Sequence, residues 1–365
     1  MNLIKNIFGK KNAPVKSNEA FWNWFKDNEK AFYQVVEEKN KINIEENFFN
    51  KLSPKLNELK EGFYFLTGMI DQNIAELVFT ADGEIKNIAF VEELVRSAPK
   101  IDRWLFTDLK PPLDIKNLVI SMAGYKFASE NLFFYAEEHP GNPDEIDLKV
   151  VNNDFDESNK STITNGTYIF LDNFLGELNF ATTIDNLTVI GKQDAQKQLI
   201  PIEKLKDYLI WRQKEFIEKY EGLRYNTEDD SYASFKAELE NGNTLLAIIN
   251  TDLLNWDSKA SHPWILNVEI KYNGEKTKGM PDDETYNLLE KIENDILNEL
   301  KDFDGYLNIG RQTADSIREI YFACSDFRKP SLVLYAVQQK YAAKLSVSYD
   351  IYKDKYWQSF NRFIN

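Results

Sequence analysis

Between residues 245 and 352 the spacing of apolar residues switches between two and about 3.6 in an ordered series, which sharply limits what this chain can fold into. The series reads strand, strand, helix, strand, strand, helix, strand. Trp264, Leu266, Val268, Ile270 and Tyr272 alternate with Ile265, Asn267, Glu269 and Lys271, predicting a strand with one buried and one wetter face. Asp282 or Asp283 caps a helix whose core side is Leu289, Ile292, Ile296 and Leu300. Asp304-Gly305 turns the chain into a strand over residues 306 to 312, and residues 317 to 324 pair back as a hairpin. A helix over residues 331 to 343 follows, and Leu345, Val347, Tyr349 and Ile351 alternate as a closing strand. This order predicts a ferredoxin-like antiparallel sheet with both helices on one face, residues 245 to 250 adding an edge.

The first 222 residues read as a second α+β region with mostly antiparallel strands. Phe21, Trp24, Phe25, Phe32 and Val36 recur at helical spacing, and a second helix spans residues 45 to 59, interrupted by Pro54. Residues 62 to 70 and 75 to 80 form a hairpin, and a short helix ends at Pro99. Strands are expected over residues 118 to 125, 132 to 137 and 146 to 150, a helix over 168 to 178, and a strand over 187 to 190. Pro201 opens a long connecting helix lined by Leu205, Leu209, Phe216 and Tyr220. The chain of 365 residues thus divides into a tail (1–17), an N-terminal α+β domain (18–222) and a C-terminal domain (231–365).

Charge and motifs restrict function. The formal charge of -15 repels phosphate backbones, so no nucleic acid is expected, whereas a basic protein partner is favoured. The single Cys324 excludes an intrachain disulfide and sits in an apolar run, as a core residue would. There is no membrane span or signal-peptide core, which predicts a cytoplasmic protein, and Leu3, Ile4, Ile7 and Phe8 read as part of a frayed tail. With His139 and His262 as the only histidines, no zinc ligand set can be assembled. Residues 274 to 279 lack phosphate-loop spacing, and Asp154, Asp156 and Ser158 lack the glycine and glutamate of a calcium loop. No catalytic residue, metal or cofactor is assigned.

A more suggestive set is Arg311, Arg318, Tyr321, Tyr349, Tyr352, Asp354, Tyr356 and Trp357, which fall on or beside neighbouring strands. Projecting from the helix-free face of the sheet, they form a partner-binding surface; packed against the N-terminal domain or the Pro201 helix, they are anchors, Trp357 and Phe360 among them. Phe21, Trp22, Trp24 and Phe25 present the same choice, with core the commoner role for such a stripe.

Several segments together resemble one family. They are Ser261-His-Pro-Trp264, Lys278-Gly-Met-Pro281, the run from Gly305 to Arg311, the hairpin from Arg318 to Phe322 and the ending from Val347 to Trp357. They are similar to the bacterial domain-of-unknown-function family 695, over about residues 231 to 360. That family resembles in fold the B-type regulator of ribonuclease E activity, and the region before it is similar to the extra N-terminal part of longer members. The resemblance implies a ferredoxin-like fold and carries no catalytic residue. The expected function is a non-enzymatic protein-binding or regulatory, inhibitor-like module. The alternative is a carboxylate-based hydrolase or transferase, with or without magnesium, whose site lies in the interdomain cleft.

Overall fold

The computed structural model describes residues 15 to 364, so the apolar run from Leu3 to Phe8 lies outside the described residues. The chain divides into two units, Met1–Lys110 and Pro111–Asn365, and the segment from 222 to 231 lies inside the second. The fold is α+β, and most strand pairs are antiparallel. No helix among the described residues is long and apolar enough to cross a membrane.

In the first unit, Ser17 accepts a hydrogen bond from the Ala20 amide and starts α1 (Asn18–Glu37), whose buried side carries Phe21, Trp22, Phe25 and Phe32. The aromatic stripe is therefore core. Next come a short α2 (Lys41–Ile44), a π turn (Glu45–Phe49) and α3 (Asn50–Leu59). Pro54 lies inside α3 without ending it, contrary to expectation; the wide turn just upstream loosens the ladder at the carbonyls a proline ring crowds. The hairpin of β1 (Tyr64–Met69) and β2 (Ala75–Thr80) is antiparallel, as read from the sequence. After α4 (Ile85–Arg96), an unforeseen β3 (Trp104–Asp108) returns parallel to β2.

The second unit opens with β4 (Ile120–Met122) and β5 (Tyr125–Phe127), a tight hairpin where one strand was expected. Ala123 and Gly124 both have positive φ and so reverse the chain between them. β6 (Leu132–Glu137), β7 (Asp147–Asn152) and β8 (Asn186–Gly191) follow, β7 and β8 parallel across α5 (Lys160–Leu175) and α6 (Glu177–Thr183). Pro201 caps a single 3-10 turn (Ile202–Lys204) that runs straight into the expected helix, and is not itself a residue of the α-helix. With Ile200 it forms β9 (Ile200–Pro201) on the edge of β6, and α7 (Leu205–Tyr220) starts four residues later. Proline lacks an amide and tolerates a sheet edge.

The remaining sheet has the order β10-β11-β13-β14-β12-β15. Its strands are β10 (Tyr232–Glu238), β11 (Thr244–Asn250), β12 (Trp264–Lys271), β13 (Tyr306–Ala314), β14 (Ile317–Cys324) and β15 (Ser346–Lys353), all pairs antiparallel. A short α8 (Thr251–Leu254) follows β11. α9 (Asp283–Glu299), capped by Asp282, links β12 to β13, and α10 (Arg328–Tyr341) links β14 to β15. Both helices lie on one face, carrying Glu290 and Glu293 toward Arg318 and taking the Tyr349 hydroxyl on the Ser331 carbonyl. The opposite face is also filled: Ile249, Ile265, Leu307, Tyr321, Trp357 and Phe360 form one buried cluster. That face is drier than the alternation of Ile265 with polar residues foretold. The sheet thus carries two added strands, not one.

Gly310 sits at a register shift between β13 and β14 with φ of 141°, and an added Cβ there meets the Ile248 carbonyl oxygen at 2.2 Å. Only glycine adopts that conformation cheaply, and the obstacle is backbone. Gly310→Ala is expected to cost about 3 kcal/mol, read as a lowered urea midpoint; a loss within about 0.5 kcal/mol contradicts this role of the bulge.

Candidate functional site

Strand register decides which of the eight singled-out residues meet. Arg311 pairs across from Ile320 and Ile248, and Arg318 from Thr313, so both point to the helix side. There Arg311 lies 2.7 Å from Glu290 and Glu293, and Arg318 lies 2.8 Å from Glu290. The Glu293 carboxyl is pushed up by burial, against the pull of both arginines. Tyr349 is on the same side, bonded to α10.

Tyr321, Tyr352 and Trp357 occupy the opposite side. The Tyr321 and Trp357 rings are buried, and the Trp357 indole N–H donates to the His262 carbonyl at 2.9 Å. Tyr352 donates to Ser359, and Asp354 accepts from the amides of Gln358 and Ser359, fixing the turn over Gln358–Phe363 that covers this face. The Tyr356 hydroxyl meets Asp144 at 2.7 Å. The eight residues therefore do not share one surface.

What the helix side leaves bare is a strip over the two added strands. Strands spaced about 4.8 Å apart make a six-stranded face about 29 Å wide, and two helices of about 10 Å each cover about 20 Å of it. Ile248 faces Arg311 across the ladder and Leu246 faces Thr313, so both share the helix side, as does Tyr232 one strand further out. Leu246 is 40% exposed, Ile248 39%, Tyr232 49% and Tyr286, on the adjoining α9, 43%. Burial, followed by the charges of Asp230 and Asp302, raises the Tyr232 hydroxyl pKa against a lowering hydrogen bond from Asn250, which places carboxylates at this end of the strip. Sequence reading missed β10 because YASFKAE is neither apolar nor cleanly alternating.

A second feature lies where α7 and the α6–β8 turn meet the edge of the C-terminal sheet. The ammonium of Lys353 is 2.7 Å from Asp185 Oδ1, as an ion pair rather than a directed hydrogen bond, and donates to the Thr182 and Thr183 carbonyls. Lys355 donates to Asp185 Oδ2 and to the Asp144 carbonyl. For the Asp144 carboxyl, burial raises the pKa, but hydrogen bonds from Tyr356, Lys219 and Tyr220 prevail and hold it below the ordinary range. Both carboxylates are committed to cations or hydroxyls, an arrangement that neutralises acids rather than freeing them for proton transfer.

Among the described residues no group of three or more His, Cys, Asp or Glu is placed to hold a metal ion. Cys324 is buried and its thiol pKa pushed up, chiefly by burial, leaving little thiolate for reaction. His139 meets Asp147 at 2.9 Å. His262 is buried beside Ser261, whose hydroxyl donates to the Ser258 carbonyl and so accepts from the His262 Nδ1–H at 2.8 Å. Asp156 closes a local turn by accepting from Ser158.

No curated protein matches this chain, and no solved structure does. Residues 232–364, which include the six-stranded sheet and the motifs from Ser261 to Trp357, match the family of unknown function DUF695.

Proposed function

We propose that the protein is a non-enzymatic binding module whose partner lays a basic, amphipathic helix into the strip beside α9. The observation that carries this is a sheet two strands wider than its helices cover, with Leu246, Ile248 and Tyr232 exposed on the uncovered part. A helix placed there completes the layer and buries an apolar stripe, the usual mode of helix-in-groove recognition. Asp230 and Asp302 at one end, and the net charge of -15, favour a partner with lysine or arginine along its polar edge. The carboxylate-enzyme reading draws no support from the cleft acids, which are engaged by lysines and tyrosines.

Two designed 15-residue helices test this, alike in their leucine face but rimmed with lysine in one and glutamate in the other. The lysine-rimmed peptide is expected to bind, to shift the amide resonances of β10 and β11, and to associate more slowly as salt rises. Ile248→Asp should weaken it at least tenfold. Equal binding of both peptides, or no binding at all, removes the reading. A gain in affinity on deleting residues 1–14 assigns the strip to that segment instead, and a concentration-dependent rise in mass assigns it to a second copy.

A further inference from the structure

The lysine-floored cleft has a lining that its structural ion pairs do not account for. It encloses about 240 Å³ between α7 and the β12–β15 edge. Phe216 and Ile217 of α7 face Trp264 and Phe327 across it, and Arg212, Gln213 and Ser325 supply polar groups. Trp264 and Phe327 pack edge to face with centroids 4.9 Å apart, giving one wall a rigid aromatic surface.

The floor sets two buried cations close together. The side chains of Lys353, Lys355 and Asp185 are 14%, 6% and 8% exposed, so two ammonium groups share one buried carboxylate. Lys355 also lies 4.9 Å from the Phe216 ring centre and Lys353 5.9 Å from that of Trp264, setting both cations against the aromatic walls. At the rim, Arg212 spends Nη2 on the Pro143 carbonyl at 2.7 Å and also bonds the Tyr208 hydroxyl, which leaves part of its fork of N–H groups; its nearest acid, Glu215, is 3.9 Å away and half exposed. Asp144 turns its carboxyl to Lys219, Tyr220 and Tyr356; Glu145 is held only by the neutral amides of Asn142 and Gln358, and its charge still acts on Lys353. Buried ammonium groups beside apolar walls are costly to keep charged, and a further negative charge nearby favours the charged form.

We propose that this cleft binds a small aromatic carboxylate, its ring between Phe216 and the Trp264–Phe327 wall and its carboxylate toward Arg212 and the lysines. The volume suits a one-ring or two-ring molecule, and a planar carboxylate matches the guanidinium fork. This site is independent of the strip beside α9. Burial, only partly offset by Asp185 and Glu145, lowers Lys353 to about 8, with the neighbouring Lys355 charge adding to the effect. A bound anion reverses that shift, so binding near pH 8 draws a proton onto the protein.

The test uses the full chain and three probes of one shape: phenylacetate, neutral phenylacetamide and phenyl phosphate. Phenylacetate is expected to bind at least tenfold more tightly than the amide in calorimetric titration. Its heat at pH 8 should depend on the ionisation enthalpy of the buffer, with the sign of proton uptake. Arg212→Gln and Phe216→Ala, both on the outer helix, should each weaken it at least fivefold while the unfolding midpoint stays within the range of a surface change. Equal binding of acid and amide, no binding of either, or unchanged affinity in Arg212→Gln overturns the proposal. Tighter binding of phenyl phosphate than phenylacetate also overturns the carboxylate assignment, because the site would then be a phosphate cradle.

Discussion

Trp357→Ala is expected to lower the unfolding free energy of the unit spanning Pro111–Asn365 by about 4 kcal/mol. The ring is 1% exposed and lies at the centre of the cluster that seals the second face of the sheet, among Ile265, Tyr321 and Phe360. Truncation removes this packing and leaves the His262 carbonyl without its buried indole donor. Trp357 also has φ of 54°, a left-handed conformation that a bulky residue holds only when its surroundings compel it. Trp357→Phe should recover about half of the loss, since it keeps a ring and gives up the hydrogen bond. Urea unfolding followed by near-ultraviolet dichroism measures both. A loss under about 1 kcal/mol for the alanine variant would mean that the C-terminal turn does not close this face.

The second large effect is acid sensitivity arising from His262. Burial, reinforced by the charge of Arg224, lowers its pKa from the ordinary 6.5 to about 4. Between those values the unfolded chain binds a proton that the native imidazole refuses, so stability rises with pH across that window. The contribution is fully present above pH 6.5 and is lost as pH falls toward 4. A difference of two to three pKa units corresponds to about 3 kcal/mol. Carboxylates held below their usual range, Asp144 and Asp302 among them, lose stability in the lower part of the same window. Comparison with His262→Gln isolates the histidine: the variant should fall about 3 kcal/mol less than the native chain between pH 7 and 4. Identical slopes would show that the imidazole is solvated or charged in the folded protein.

The parts legible in sequence were those where one physical demand dominated. Val268 and Val347 alternate because a helix layer covers one side of the sheet, and both are buried there. Asp282 announces α9 through a cap that depends on only three following residues. The edges of the layers were less legible. β10 and β3 are held by pairing with neighbours remote in sequence, so their own side chains need not declare them. Pro201 carries a signal for a helix start, yet strand pairing with Phe133 uses it first.

The candidate surface shows the same division. Arg311 and Arg318 belong with tyrosines and a tryptophan when only strand membership is considered. The register shift at Gly310 and the period of two then send the arginines under α9 and Tyr321 to the other side. The strip beside α9 and the lysine-floored cleft had no local signature, because each is assembled from segments tens to hundreds of residues apart.

Sequence alone determined the class of fold, the order of elements in the C-terminal part and the acidic character of the chain, since periodicity, caps and charge are local or additive quantities. Only the tertiary structure decided which face each strand residue occupies, how far the sheet outgrows its helices, and that Lys353 and Lys355 share one aspartate beneath an aromatic cleft. Those outcomes depend on register and layer width, which are set by contacts between distant segments and are therefore properties of no single stretch of chain.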